Sequence, residues 1–237
     1  MNNNQFLKTI ASSFIRFLET SARSNKKLII LHGGIAEDIK NRLGEGYDIK
    51  SLGIGDGKEG KMKGRYMEKT VDILISKNGE DLAGIAVKFV MNNYSQNSNN
   101  YFENMLGETA NIRTNGKKYF QIIILPKELP YYDNKGKITK WEKITEHNID
   151  KYTILSRDNT ETNLHIPTKT LLHIIKLPNC DHETVDTRSK YKKYYLGIKD
   201  SLSIEASNGI SVSSGGTVIL NDYELFIEKI VRSIKSI

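Results

Sequence analysis

Thr70-Val71-Asp72-Ile73-Leu74-Ile75, then Ser76-Lys77-Asn78-Gly79-Glu80-Asp81, then Gly84-Ile85-Ala86-Val87-Lys88-Phe89-Val90, is the stretch on which the fold of this chain turns. Two apolar, β-branched runs flank an Asn-Gly pair, the strongest short-range hairpin signal. The pattern predicts an antiparallel hairpin over 70–90. Asp72 and Lys88 interrupt the two runs from opposite strands. A charge within an apolar strand is costly unless it is paired or engaged. This acid and this ammonium are therefore expected either to form a structural ion pair or to act together. A carboxylate, a lysine and a second acid nearby can hold a divalent metal and activate water against a phosphodiester.

Outward from the hairpin, a polar, Asn-rich stretch runs to Asn100 and a helix is predicted from about Tyr101 to Arg113. On its wheel Phe102, Met105, Leu106, Thr109 and Ile112 form the face expected to bury against a sheet. Asn100, Asn104, Gly107 and Asn111 form a second, amide-rich face suited to base edges, because Asn pairs in a bidentate way with adenine. Glu103 reads as a border residue facing Asp72, and Glu108 as pointing to the polar, DNA-facing side. Tyr119–Leu125 is an apolar strand stopped by Pro126. Upstream, Ile35–Leu43 reads as a helix closed by Gly44, with the Lys27–His32 run set apart from it by Gly33-Gly34, and Tyr47–Ile54 reads as a strand. The Gly53–Gly60 loop fits neither the Walker nor the dinucleotide pattern, since Lys58 precedes Glu59 and a basic strand follows. Glu59 and Glu68 are candidate auxiliary acids, with the surface as the expected place of each.

The order over 35–125 is thus helix, strand, strand, strand, helix, strand, an α/β core with a mixed central sheet. An N-terminal helix over 5–23 lies in the first 34 residues, and 127–237 is expected to add α+β elaborations to one catalytic domain spanning 1–237. Within that part Ile166–Leu177 fits helix or strand, Asp181–Lys193 a charged connection, and Ser201–Leu220 short strands around Ser213-Ser214-Gly215-Gly216. Tyr223–Ile237 is a helix capped by Asn221 or Asp222.

The chain has 237 residues and a net charge of +7, a balance that suits a polyanionic partner such as nucleic acid. The single cysteine, Cys180, leaves no intrachain disulfide and no cysteine zinc site. The five histidines lack metal-ligand spacing along the chain. With neither a membrane-length apolar run nor a signal-peptide pattern, a cytoplasmic protein is expected.

Val71-Asp72, Val87-Lys88 and the element order around them resemble the PD-(D/E)xK nuclease superfamily, which includes most type II restriction endonucleases. That family's second acid normally stands two residues before the lysine, and here that position is Ala86. Some restriction enzymes of the family instead take a glutamate from the following helix, and Glu103, fifteen residues after Lys88, fits the migrated position. The resemblance implies Asp72, Lys88 and Glu103 as catalytic residues, Asp72 and Glu103 as Mg²⁺ ligands, and hydrolysis to 5′-phosphate and 3′-hydroxyl ends. It also implies a homodimer on palindromic double-stranded DNA and a companion DNA methyltransferase encoded nearby. Lys61, Lys63, Arg65 and Lys69 suit phosphate contacts, and Gln96, Asn97, Asn104, Glu108, Asn111 and Arg113 suit groove or base contacts. The rival expectation is a nucleic-acid-binding protein without catalysis, in which Asp72 and Lys88 are only an ion pair.

Overall fold

The structure, a computed structural model, describes residues 1–20, 24–212 and 216–237. Helices α1 (Asn3–Glu19) and α2 (Lys26–Leu43) lead into β1 (Tyr47–Ser51), the pair β2 (Gly60–Lys63) and β3 (Glu68–Val71), and the hairpin β4 (Ile73–Lys77) and β5 (Glu80–Phe89). Helix α3 (Tyr94–Arg113) and β6 (Lys118–Pro126) follow. The second half adds β7 (Glu128–Tyr132), β8 (Ile138–Lys143), α4 (Glu146–Arg157), β9 (Lys169–Lys176), α5 (Arg188–Gly197), β10 (Glu205–Ala206), β11 (Val218–Leu220) and α6 (Tyr223–Lys235).

The main sheet runs β1-β4-β5-β6-β9, with both β10 and β11 paired to β9. β4 is antiparallel to both of its neighbours, β1 and β5, whereas β5, β6 and β9 are parallel, so the fold is α/β with a mixed sheet. Asn78 and Gly79, both at positive φ, make the turn of the β4–β5 hairpin. The expected order over 35–125 appears as α2-β1-β4-β5-α3-β6, with β2 and β3 inserted as a separate two-stranded sheet. The region after 127 extends the same sheet through β9.

Side-chain alternation along the strands builds a layer on each face. Phe120, Ile122 and Ile124 of β6, with Ile73, Ile75 and Ile85, pack under α1, α2 and α6 through Phe6, Ile10, Ile35, Ile39 and Phe226. Ile123 and Leu125 face the other way, against Met105 of α3 and Ile149 and Tyr152 of α4. The predicted buried face of α3 is present: Met105, Thr109 and Ile112 are buried, and Phe102 and Leu106 pack against the second cluster.

Several boundaries differ from the sequence reading. α2 is continuous through Gly33-Gly34 because the first of these glycines meets the chain after β1. A Cβ on Gly33 would lie 3.1 Å from the Gly53 Cα, and one on Gly53 would lie 2.4 Å from the Ile29 carbonyl oxygen. The two glycines let helix and loop backbones touch. α3 begins at Tyr94, so the polar stretch is its first two turns, entered through Asn93 in the left-handed region. Ile166–Leu177 resolves as a strand, the charged connection ends in α5, and Asp222 is the cap of α6, accepting from the Leu225 N–H at 3.1 Å. Arg23 and Ser213–Gly215 lie outside the described residues.

Candidate active site

Asp72 stands between β3 and β4, where the chain passes from the small sheet to the main one. The Ser51 hydroxyl donates to its carbonyl at 2.7 Å, fixing the backbone from the neighbouring β1. Its carboxylate Oδ2 accepts from the Val87 N–H at 2.6 Å. The acid is thereby tied across the hairpin to the residue preceding Lys88. The Lys88 ammonium lies 4.2 Å from the centroid of the Tyr101 ring and, among the described residues, forms no ion pair with Asp72.

Two groups lie on one side of Asp72: His32, which the sequence reading left aside, and Glu59, which it gave only as an auxiliary acid. His32 of α2, Glu59 of the loop before β2, and Asp72 each offer a donor atom, all within 4.8 Å of one another. His32 Nδ1 is 3.8 Å from Asp72 Oδ1, and neither ring nitrogen of this buried histidine has a hydrogen-bond partner. Burial lowers the His32 pKa to about 4, opposed by the charge of Glu59, so the imidazole is neutral and keeps a lone pair. Burial raises the Asp72 pKa to about 6, and the Glu108 charge adds to this; the Val87 hydrogen bond, Lys88 and Lys69 oppose it. Glu59 is raised too, first by burial and then by Asp72. A neutral buried imidazole beside two carboxyl groups that resist ionisation is a donor set short of positive charge.

Both groups had a signal in the chain. His32 shares a helical stripe with Ile35, Ala36 and Ile39, all buried. Splitting the helix at Gly33 hid that stripe. Glu59 follows from register, since Gly60 pairs with Val71 and the next residues outward are Glu59 and Asp72. The histidines do lack metal spacing along the chain, but the fold brings His32 near Glu59 and Asp72.

On the α3 side, a cavity of about 290 Å³ includes Asp72, Ala86, Lys88, Asn104, Glu108 and Gln121 in its wall. Of the two glutamates of α3, it is Glu108 that lines this cavity. Glu103 is exposed, acts electrostatically on Lys151, and does not line this cavity. At 100° per residue Glu103 stands roughly 160° from Met105 and Glu108 roughly 60°, so Glu108 flanks the buried face. Glu108 Oε1 pairs with Lys69 Nζ at 2.5 Å, and Oε2 accepts from the Tyr119 hydroxyl at 3.2 Å.

The expected DNA contacts divide. Lys63 and Arg65 are exposed on the β2–β3 hairpin, and Asn104 is exposed at the cleft. Lys61 pairs with Glu68 at 3.2 Å, and Lys69 is committed to Glu108. Gln96 and Asn97 make local bonds in the first turn of α3, with the Asn93 side chain and carbonyl. Asn111 and Arg113 are engaged with backbone groups of the fold. Asn111 is buried and bonded to the backbone of Tyr66 and Met67. Arg113 donates to the carbonyls of Thr160, Asn163 and Ile166 and holds the loop before β9. Cys180 is buried and lies apart from the site. No helix among the described residues is long and apolar enough to cross a membrane.

Comparison with protein-family models, curated proteins and solved structures returned no match for this chain.

Proposed function

We propose that this chain is a divalent-metal-dependent endonuclease of the PD-(D/E)xK type that hydrolyses phosphodiester bonds of double-stranded DNA. The observation that carries the proposal is the fastening of Asp72 to the Val87 N–H beside Lys88, with His32 and Glu59 converging on the same carboxylate. The order α2-β1-β4-β5-α3-β6, with the acid at the head of β4 and the lysine near the end of β5, supports the restriction-endonuclease-like reading of the core.

Asp72 and Glu59 would hold the metal, with His32 as a third donor. Oxygen ligands suit Mg²⁺, and the imidazole makes Mn²⁺ an equally fitting ion. An unpartnered buried imidazole costs about 1–3 kcal/mol, which coordination would relieve. The metal supplies polarisation of a phosphate oxygen and a lowered pKa for bound water.

The protein groups then have distinct tasks. Lys88, facing the cleft with no carboxylate partner, offsets negative charge growing on the phosphate and orients the attacking water. The Val87 N–H holds Asp72 in one orientation. Glu108 lines the cavity that also includes Ala86, where the family keeps its strand acid, and its bonds to Lys69 and Tyr119 set its position. Products with 5′-phosphate and 3′-hydroxyl ends, a homodimer on a palindromic site and a companion methyltransferase belong to the same proposal.

The test is incubation of the purified chain with mixed plasmid DNA, with no divalent ion, with Mg²⁺ and with Mn²⁺. Discrete fragments that need the metal support a restriction enzyme, and a metal-dependent smear supports a nonspecific nuclease. Intact plasmid in every lane defeats the proposal.

A further inference from the structure

The β2–β3 hairpin ends in Gly64-Arg65-Tyr66-Met67, a turn whose backbone is held tightly while its side chains are left in water. The Gly64 N–H donates to the Met67 carbonyl at 3.1 Å, and the Arg65 N–H to the Asn111 carbonyl at 2.8 Å. Asn111 Oδ1 accepts from the N–H groups of Tyr66 (3.0 Å) and Met67 (3.3 Å), and its Nδ2 donates to the Met67 carbonyl at 2.9 Å. Asn115 Nδ2 donates to the Lys63 carbonyl at 2.8 Å. Only glycine fits at 64, because a Cβ there would lie 2.1 Å from Asn111 Nδ2. All four backbone donors of the turn are therefore satisfied, by the turn itself and by the end of α3.

Yet Tyr66 and Met67 are 76% and 66% exposed, among the most exposed large apolar side chains in the described residues. An aromatic ring and a thioether side by side on a fixed turn have no packing role there. Their surroundings are cationic. Lys61 and Lys69 are paired with Glu68 and Glu108, whereas Lys63 and Arg65 are exposed beside the tip, with the Arg65 guanidinium 5.9 Å from the Tyr66 ring centroid. The tip is also coupled to the site by chain connectivity. β3 runs from the tip directly into Asp72, and the five residue steps from Met67 to Asp72 span about 17 Å at the rise of an extended strand. That distance corresponds to about five base pairs of duplex.

We propose that this tip is a wedge: Tyr66 and Met67 insert between stacked base pairs of the duplex, about five base pairs from the bond that Asp72 addresses. Lys63 and Arg65 contact the flanking phosphates. Apolar side chains carried on basic elements unstack base steps in this way, and the free energy of unstacking is offset by the contact area gained. A tip already fixed by Asn111 and Asn115 loses little further backbone freedom on binding. The wedge also fixes the distance between the distorted step and the cleaved bond, so it contributes to cleavage position. The inference rests on the DNA-cleaving reading of the Asp72 site.

The experiment uses the full chain carrying Asp72→Asn, so that DNA is bound without being cut. A singly nicked plasmid saturated with this protein in Mg²⁺ is sealed with DNA ligase, and the topoisomers are counted. Insertion underwinds the duplex, so the distribution should shift in proportion to bound protein. Adding Tyr66→Ala and Met67→Ala should abolish the shift at matched occupancy and weaken binding by about tenfold. Both side chains are exposed, so thermal unfolding should not change. An unaltered shift in the triple variant, or no shift with the Asp72→Asn protein bound, overturns the wedge while leaving cleavage by the unsubstituted chain to be judged separately. Conversion of a dimer to a monomer by the two tip substitutions, with DNA binding and topology unaffected, would make the tip an interface between copies and also overturn the wedge. Absence of any plasmid binding fails this proposal and the nuclease reading together.

Discussion

The Asp72 carboxylate accepts a 2.6 Å hydrogen bond from the backbone N–H of Val87, the residue before Lys88. Two strands of a hairpin thus deliver their charged groups to one place with the acid's orientation fixed by the main chain. A main-chain donor cannot swing away as a side chain can, so any cation placed against Asp72 meets the carboxylate in one pose. The charge held there is under strain, since burial raises its pKa to about 6.

Asp72→Asn is expected to lower metal-dependent cleavage by about a thousandfold or more, because an amide keeps the shape but not the charge that a hard cation needs. The same change should stabilise the metal-free protein at pH 7. Unfolded, the carboxyl ionises near pH 3.8; folded, near 6. Between these values the folded state binds more protons, so stability falls as pH rises through the window. The gain from removing the charge is about 1–3 kcal/mol. Calorimetry should show the variant melting above the parent without metal, and Mn²⁺ should raise the parent's melting temperature but not the variant's. Full activity in the variant would remove Asp72 from the chemistry.

Glu108→Gln should cut poorly and Glu103→Ala should cut normally. Glu108 shares a cavity with Asp72 and Lys88, whereas Glu103 faces solvent near Lys151. Glu108→Gln also releases Lys69 from its ion pair, so part of its effect should be recovered by Lys69→Met if positioning rather than charge is at issue. Single-turnover rates on one plasmid substrate measure this. A dead Glu103→Ala beside an unimpaired Glu108→Gln would restore the original assignment.

The hairpin, its Asn-Gly turn and the α3 core face were legible because they rest on local periodicity and turn chemistry, which act between near neighbours along the chain. The site was legible only in part. Asp72 and Lys88 announced themselves as charges inside apolar strands. His32 looked like the end of an apolar run because Gly33-Gly34 reads as a break in the helical stripe that it shares with Ile35, Ala36 and Ile39. Glu59 stood between auxiliary acid and surface because the Gly60–Val71 register that sets it beside Asp72 lies outside any local window. Asn111 shows the converse. A polar residue in a helical row of amides looks solvent-facing until the turn that it holds is present.

Stability should fall with acid through two histidines. His173 of β9 is fully buried, edge-on to Phe6, with no partner for either ring nitrogen, and burial lowers its pKa to about 4 against an opposing effect of Asp222. His32 is lowered to a similar value. The unfolded imidazoles titrate near 6.5, so between about 6.5 and 4 the unfolded chain binds more protons. Stability is then fully present above the upper value and lost as pH falls, by up to about 1.4 kcal/mol per pH unit for each histidine. Between about 6 and 4 the Asp72 carboxyl acts in the opposite sense and offsets about one histidine, so His173→Leu should remove most of the slope of urea-midpoint curves there and leave pH 8 little changed. A curve that keeps its full slope would exclude His173 as a source.

His32 should decide which metal the site prefers. Its imidazole is the one nitrogen donor in the His32, Glu59 and Asp72 set, and nitrogen contributes more to binding of Mn²⁺ than of Mg²⁺, which favours oxygen and retained water. His32→Ala removes that donor and leaves both carboxylates. It should weaken Mn²⁺ binding by about tenfold or more and Mg²⁺ binding much less, so the selectivity between the two ions narrows. Titration calorimetry with each ion measures the affinities without relying on cleavage. The cavity left by the ring is a separate cost, about 2–4 kcal/mol of stability by analogy with other buried truncations. His32→Gln keeps much of the volume and is the control that separates packing from ligation. Equal losses for both ions in His32→Ala, recovered in His32→Gln, would make His32 a packing residue and leave the metal to Asp72 and Glu59.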